Sequence, residues 1–259
     1  MKKALTINRA SIGYRTGKKT TLVVDTIDAS LHCGELVALI GKNGAGKSTL
    51  LRTLSAFQKP LSGTIECNGR DMASMSPDDV AKELAVVLTS AEPVPLTVRE
   101  IVSLGRTPYT NFLGRTSTKD KGIVDDAMSM MGVREFENRQ ATSLSDGERQ
   151  KCMIAKALAQ ETSLILLDEP TAFLDFGSKV NLFRTLKQLA AEKQKAILVS
   201  THDIELAIRF ADKIWLLSDG IMNEGCVADL YDSGALQRFI NSDGVVYDKE
   251  NNRIVITET

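Results

Sequence analysis

One stretch constrains this chain more than any other: Gly41-Lys42-Asn43-Gly44-Ala45-Gly46-Lys47-Ser48-Thr49. It follows the apolar run Leu36-Val37-Ala38-Leu39-Ile40 and leads into Leu50-Leu51-Arg52-Thr53-Leu54, so it reads as strand, glycine loop, helix. The spacing G-x-x-x-x-G-K-S is that of a phosphate-binding loop. Its glycines let backbone N–H groups turn inward around phosphate oxygens, and the helix that follows presents its positive dipole end to them. In such a loop Lys47 reaches the outer phosphates and Ser48 ligates magnesium. The bland alternative is a glycine turn that merely joins a strand to a helix, and the apolar run before it and the helix after it both favour the nucleotide reading.

A chain of 259 residues can bury a sizeable core as one large domain or as a domain with a subdomain. Lys and Arg number 32 against 33 Asp and Glu, so no overall field favours nucleic acid or an acidic membrane, and nucleic acid is not an expected partner. No apolar stretch approaches the ~20 residues needed to cross a bilayer. Met1-Lys2-Lys3 opens a polar, strand-like segment rather than a signal-peptide core, so the chain is expected to stay in the cytosol. Cys33, Cys67, Cys152 and Cys226 lie far apart with no C-x-x-C pair, which favours reduced, mostly buried thiols over a disulfide frame or a zinc site.

Along the chain, residues 4–11 alternate as a strand ending at Ile12-Gly13-Tyr14, and residues 22–31 read as a second, so an antiparallel opening is expected. Tyr14 fits either a partly buried strand-end aromatic or a ring that stacks on adenine. Thr64-Ile65-Glu66-Cys67 with Asn68-Gly69 predicts a strand closed by a tight turn, and Ser76-Pro77 a capped helix start. Leu84-Ala85-Val86-Val87-Leu88 suits a buried parallel strand. Prolines and glycines from residue 89 on open an inserted, mainly helical region, about residues 90–160. Within it Ile123, Ala127 and Met131 share one face at i, i+4, i+8, and Met128, Met130 and Met131 read as core filler. Ser145 and Glu148 form a capping box for a helix whose apolar face is Met153, Ile154, Ala157 and Leu158.

Leu164-Ile165-Leu166-Leu167 then delivers Asp168 and Glu169 to a strand's carboxyl end, where ligands of open α/β sheets sit. Two carboxylates there are costly unless paired or bound to metal. A helix over 176–192 and a buried strand over 196–200 lead to Thr201-His202-Asp203, a further helix over 204–210, and a strand closed by Ser218-Asp219-Gly220. Residues 221–259 read as a small appendage with strand-like runs. Lys47 with Ser48, Asp168 with Glu169, and His202 therefore converge on one sheet edge. That set suits ATP hydrolysis: Lys47 and magnesium neutralise charge, Ser48 and Asp168 position the metal, Glu169 orients or deprotonates water, and His202 bonds the γ-phosphate and that water.

The ordered motifs resemble those of the ATP-binding subunits of ABC transporters over about residues 4–220. The tyrosine loop is Tyr14, the Walker A loop Gly41 to Ser48, and the signature start Leu144-Ser145-Asp146-Gly147-Glu148. Walker B is Leu164 to Asp168 with Glu169, the D-loop Ala172-Phe173-Leu174-Asp175, and the switch histidine His202. The resemblance implies one ABC-type nucleotide-binding domain over 1–259: an α/β P-loop fold with a mainly parallel core sheet, an antiparallel β subdomain and an inserted helical subdomain. It implies ATP and Mg2+ as cofactors and a head-to-tail pair of identical chains, in which Ser145 and the Gly147 N–H of one copy touch the γ-phosphate held by the other. Hydrolysis then separates the halves and moves polytopic permease subunits docked near the helical insert, at the cytoplasmic face of the membrane.

Two positions depart from the family pattern. Asp146 and Glu148 add carboxylates near bound phosphate, which are expected to weaken dimer closure modestly or to be relieved by Arg149. Thr89 stands where the family usually has a glutamine at the magnesium site, with a shorter reach through its hydroxyl. Leu104-Gly105-Arg106-Thr107-Pro108-Tyr109 is similar to the importer branch that serves iron–siderophore complexes, haem and vitamin B12, supplied by a periplasmic or surface binding protein. The alternatives at this point are an exporter subunit, a soluble ABC ATPase acting on ribosomes or DNA, and a non-hydrolysing scaffold. A single Walker loop without a long coiled coil speaks against the second, and Glu169 and His202 speak against the third.

Overall fold

Alternation at the start of the chain runs further than its glycine suggests. In the computed structural model, which describes residues 2–17, 19–88, 94–110, 117–240, 245–248, 250–251 and 253–256, β1 spans Lys3–Thr16 and β2 Lys19–His32. Gly13 does not end β1. A Cβ there would lie 2.1 Å from the Thr21 carbonyl oxygen of β2, so glycine permits a close approach at a register shift and the strand continues through Tyr14.

The parallel core begins with β3 (Leu36–Gly41), every residue of it buried, followed by α1 (Lys47–Leu54). Then come β4 (Ser62–Cys67), β5 (Arg70–Asp71), α2 (Pro77–Glu83) and β6 (Leu84–Val87). Ser76 caps α2 in a capping box with Asp79, with proline at the first helical position. The helical insert contains α3 (Val98–Ser103), a 3-10 stretch Leu104–Tyr109, α4 (Thr118–Met130) and α5 (Asp146–Ala159). The chain returns through β7 (Leu164–Asp168), α6 (Phe176–Lys193), β8 (Ala196–Ser200), α7 (Ile204–Phe210), β9 (Lys213–Ser218) and β10 (Ile221–Gly225). It ends in α8 (Val227–Asp232), α9 (Ala235–Ile240) and the hairpin β11 (Val245–Asp248) and β12 (Arg253–Ile256).

Two sheets organise these elements: an antiparallel one in the order β2-β1-β4-β5, and a six-stranded one in the order β10-β9-β3-β8-β7-β6, parallel except for β10. Both faces of the larger sheet are covered, which is why its strands read as unbroken apolar runs. Ile165, Leu167, Ile197 and Val199 pack with α3–α6, whereas Leu164, Leu166, Leu198 and Trp215 pack toward α1 and the antiparallel sheet. Leu84-Leu88 is not a fully buried strand: β6 is the sheet's edge, and Leu88 beyond it is exposed.

Burial on the insert's helices departs from single-face expectations. α5 buries Cys152, Ile154, Ala155, Ala157 and Ala159 while Met153 and Leu158 stay half-buried, because α3, α4 and β6 contact it from several sides. On α4 the buried apolar residues are Val124, Ala127 and Met128, and Met130 is exposed, so the methionine cluster is only partly core. The appendage holds two helices that its sequence did not suggest. Leu230, Leu236, Phe239 and Ile240 of α8 and α9 pack on Ala38, Ile40, Ile214 and Leu216, covering the end of the sheet around β3 and β9. Six-residue helices are too short to show a period in sequence.

Candidate functional site

The phosphate loop leaves β3 at Gly41 and enters α1 at Lys47, and its backbone explains its glycines. Gly46 is the N-cap of α1 at φ 106°, and a Cβ there would lie 2.6 Å from Val23 Cγ1. No side chain caps α1, so its first N–H groups face the loop. Lys42, Asn43, Gly44 and Ser48 are exposed, and Ala45 is half-buried. Lys47 is buried, and its Nζ donates to the Gly41 carbonyl at 2.7 Å and the Lys42 carbonyl at 3.5 Å. Burial pushes this ammonium below the usual lysine range, opposed by the carboxylates of Glu169 and then Asp168. Tyr14 leaves its ring half exposed while its hydroxyl lies 2.6 Å from Thr49 Oγ1, which ties the antiparallel sheet to the loop helix.

The acidic pair sits one strand beyond the neighbour of β3. β8 lies between β3 and β7, and its terminal residue Ser200 acts as a bracket. Ser200 Oγ donates to Asp168 Oδ1 at 2.6 Å, and the Glu169 N–H donates to Ser200 Oγ at 2.9 Å and to the Ser200 carbonyl at 3.2 Å. Glu169 adopts φ 45°, a left-handed conformation costly for a side-chain-bearing residue, so the surrounding bonds must hold it there. His202 Nε2 lies 2.7 Å from Glu169 Oε1, with both side chains partly open to solvent. Lys47, Asp168, Glu169 and His202 are thus brought together. Ser200 was missed in the sequence, although a polar residue closing the apolar run 196–199 was the available signal.

Ser48 and Asp168 offer a hydroxyl and a carboxylate, hard oxygen donors, and no cluster of three or more His, Cys, Asp or Glu suited to a metal occurs among the described residues. That donor set fits Mg2+, which keeps several waters and takes one or two protein oxygens, and does not fit zinc. Thr89 lies outside the described residues.

At the start of α5, Ser145 and Glu148 form a full capping box: the Ser145 N–H reaches Glu148 Oε2 at 2.8 Å, and the Glu148 N–H reaches Ser145 Oγ at 3.3 Å. The Ser145 N–H, then its hydroxyl, holds the Glu148 carboxyl below the usual carboxylate range. Arg149 pairs with Asp146, and Arg139 lies 3.7 Å from Glu148, so each extra carboxylate has its own cation. Gly147 faces the D-loop, where a Cβ would lie 2.8 Å from Leu174 Cδ2. Among the described residues no hydrogen bond or ion pair joins Ser145 or Gly147 to the phosphate loop of the same chain.

A phosphate loop leaving an interior strand of a parallel sheet, with an acidic pair and a histidine at the same edge, defines a P-loop nucleotide triphosphatase. Residues 24–172 match the ABC transporter family, and the chain belongs to it. It is 42 % identical to an ABC transporter ATP-binding protein of Methanocaldococcus jannaschii over 93 % of this chain and 80 % of that one. It is 35 % identical to the iron(3+)-hydroxamate import ATP-binding protein FhuC of Bacillus subtilis, over 97 % and 93 %. Among solved structures, an inward-facing metal-chelate type ABC transporter superposes with a TM-score of 0.77 at 26 % identity, over 98 % of this chain and 96 % of that one. A dimeric ATP-binding cassette in a post-hydrolysis state with ADP and phosphate gives 0.75 at 27 % identity, over 86 % and 98 %. The chain is an ATPase that binds ATP or ADP. No helix among the described residues is long and apolar enough to cross a membrane.

Proposed function

We propose that this chain powers import of an iron chelate, a siderophore or haem, or of vitamin B12, through a polytopic permease, working as a pair of identical chains that sandwich ATP. The observation that carries the catalytic half is the 2.7 Å contact of His202 with Glu169, beside Asp168 and the buried Lys47. In this reading Glu169 accepts a proton from water as the water oxygen attacks the γ-phosphorus and ADP leaves. His202 orients that carboxylate and bonds the γ-phosphate, while Lys47 offsets charge on the outer phosphates. Ser48 and Asp168 hold Mg2+, which when bound spreads the negative charge of the reacting phosphate. Tyr14 offers its exposed ring face to the adenine.

Ser145 sits exposed at the head of a 14-residue helix, which suits it to cover the phosphates of a second copy. The dimeric relative holding ADP and phosphate supports that pairing. The cargo class is supported by the Bacillus relative named for iron(3+)-hydroxamate import and by the metal-chelate type transporter. For the permease, an apolar groove of about 530 Å³ runs between the end of α1, β4 and α2, with exposed Phe57 on its rim and Gln160 from the helical insert at its border. A docked permease places the chain at the cytoplasmic face of the membrane, with a periplasmic or surface binding protein delivering cargo from the other side.

Purified Glu169→Gln is expected to bind ATP, lose hydrolysis and run as a stable dimer in size-exclusion chromatography; rapid turnover by that variant places the base elsewhere. Lys47→Ala is expected to abolish nucleotide binding or turnover. Loss of this chain in its own cell is expected to stop uptake of labelled ferric siderophore, haem or vitamin B12, and unchanged uptake of all three rejects the cargo reading.

A further inference from the structure

Asp203 follows His202 and stands at the N-cap of α7, where an aspartate ordinarily turns its carboxylate onto the helix's own N–H groups. Here it makes no such bond. Its Oδ2 accepts from Thr171 Oγ1 at 2.9 Å and its Oδ1 accepts from Lys179 Nζ at 3.1 Å. Its backbone N–H donates to Thr201 Oγ1 at 3.0 Å. The carboxylate has therefore been diverted from its local task to a tertiary one.

The partners are specific in place. Thr171 is buried and comes two residues after Glu169, so the Thr171–Asp203 bond closes a short bracket around the Glu169–His202 contact. Lys179 comes from the first turns of α6, the helix that Asp175 of the D-loop caps through the Ser178 N–H at 2.8 Å. The Lys179 N–H itself donates to the Asp175 carbonyl at 2.9 Å. One ammonium thus links the D-loop helix to the peptide that carries the histidine.

We propose that Lys179 is a positioning residue for hydrolysis: with Thr171 it holds Asp203, and through the Asp203–His202 peptide it fixes His202 against Glu169. This rests on the reading that Glu169 and His202 carry the hydrolytic step. An ion pair with side chains 23 % and 29 % exposed contributes little to global stability, so its role should show in turnover rather than in melting. Geometry explains why a small displacement matters, since the reacting groups must stay within hydrogen-bond reach of the water.

The test uses the purified full-length chain and steady-state ATP hydrolysis. Lys179→Met keeps the aliphatic stem and is expected to lower kcat about tenfold with KM for ATP within about twofold, at an unchanged melting midpoint. Lys179→Arg keeps the charge and is expected to recover to within about threefold of the wild type. Because Lys179 acts through His202, adding Lys179→Met to His202→Ala is expected to cause no further loss. Wild-type turnover by Lys179→Met, a fall in midpoint together with both kinetic constants, an arginine variant no better than methionine, or independent losses in the double variant each overturn the proposal. Glu169→Gln assayed alongside separates the two readings. Full turnover by Glu169→Gln removes the hydrolytic assignment itself, whereas an inactive Glu169→Gln with a fully active Lys179→Met removes only the positioning role.

Discussion

Replacing Arg106 by alanine tests what the segment Leu104–Tyr109 does in the fold. Arg106 as a whole is 4 % exposed, with Nε 2.9 Å from Asp120 Oδ1 and Nη1 2.7 Å from the Ala159 carbonyl and 2.9 Å from Glu161 Oε2. It also lies 4.3 Å from the centre of the Tyr109 ring, so one side chain joins the 3-10 stretch, α4 and the end of α5. Removing one member of a buried pair costs about 3–5 kcal/mol. Asp120 keeps its bonds from the Ser117 N–H at 2.9 Å and the Ser117 hydroxyl at 2.6 Å, which moves the expected loss to the low end, about 3 kcal/mol. The Glu161 arm is half exposed and contributes less than about 1 kcal/mol. At about 2–4 °C per kcal/mol for a chain of this size, the melting midpoint should fall by about 6–12 °C.

The same site fixes a pH dependence. Ser117 first, through its hydroxyl and N–H, and then Arg106 hold the Asp120 carboxyl at about 2. A carboxyl depressed in the folded state stabilises fully above its unfolded value, about 4, and that contribution is lost as pH falls through about 2. The stability gap between wild type and Arg106→Ala, measured by urea unfolding, should therefore be full at pH 7 and narrow between about pH 4 and 2. A gap under about 1 kcal/mol at pH 7, or one that widens in acid, would refute the reasoning. Binding of a fluorescent ATP analogue to folded Arg106→Ala should be nearly intact, because Arg106 lies in the helical insert.

Gly46→Ala forces a Cβ to within 2.6 Å of Val23 at φ 106° and should cost about 1–3 kcal/mol with at least a tenfold loss of ATP affinity; wild-type affinity by fluorescence titration contradicts the loop geometry. Burial pushes the Cys67 and Cys152 thiols up to about 11, so in native protein at pH 8 a thiol reagent should modify half-buried Cys33 and Cys226 first, and all four only in denaturant. Glu148 shares its charge with Arg139 and the Ser145 cap, so Glu148→Gln should change ATP turnover less than about twofold, and a larger rise would restore simple phosphate repulsion as its effect. Ser145→Ala removes the cap and should cost about 1 kcal/mol in thermal unfolding, with no loss counting against the capping box.

Much of this molecule is written locally. The glycine spacing of residues 41–48, the apolar runs at 36–40, 164–167 and 196–199, and the Ser76 and Ser145 capping boxes are set by neighbours within a few residues, and they reappear as β3, β7, β8, α2 and α5. The sequence by itself determined which side chains could meet phosphate, because backbone conformation and side-chain chemistry are local properties. Tertiary structure alone decided how those side chains are held. Ser200 brackets Asp168 and Glu169 because β8 lies beside β7. Asp203 abandons its helix for Thr171 and Lys179, and two short helices finish the sheet's far end. Each depends on residues far apart in the chain, or on burial from several sides at once, and no periodicity along the chain records either.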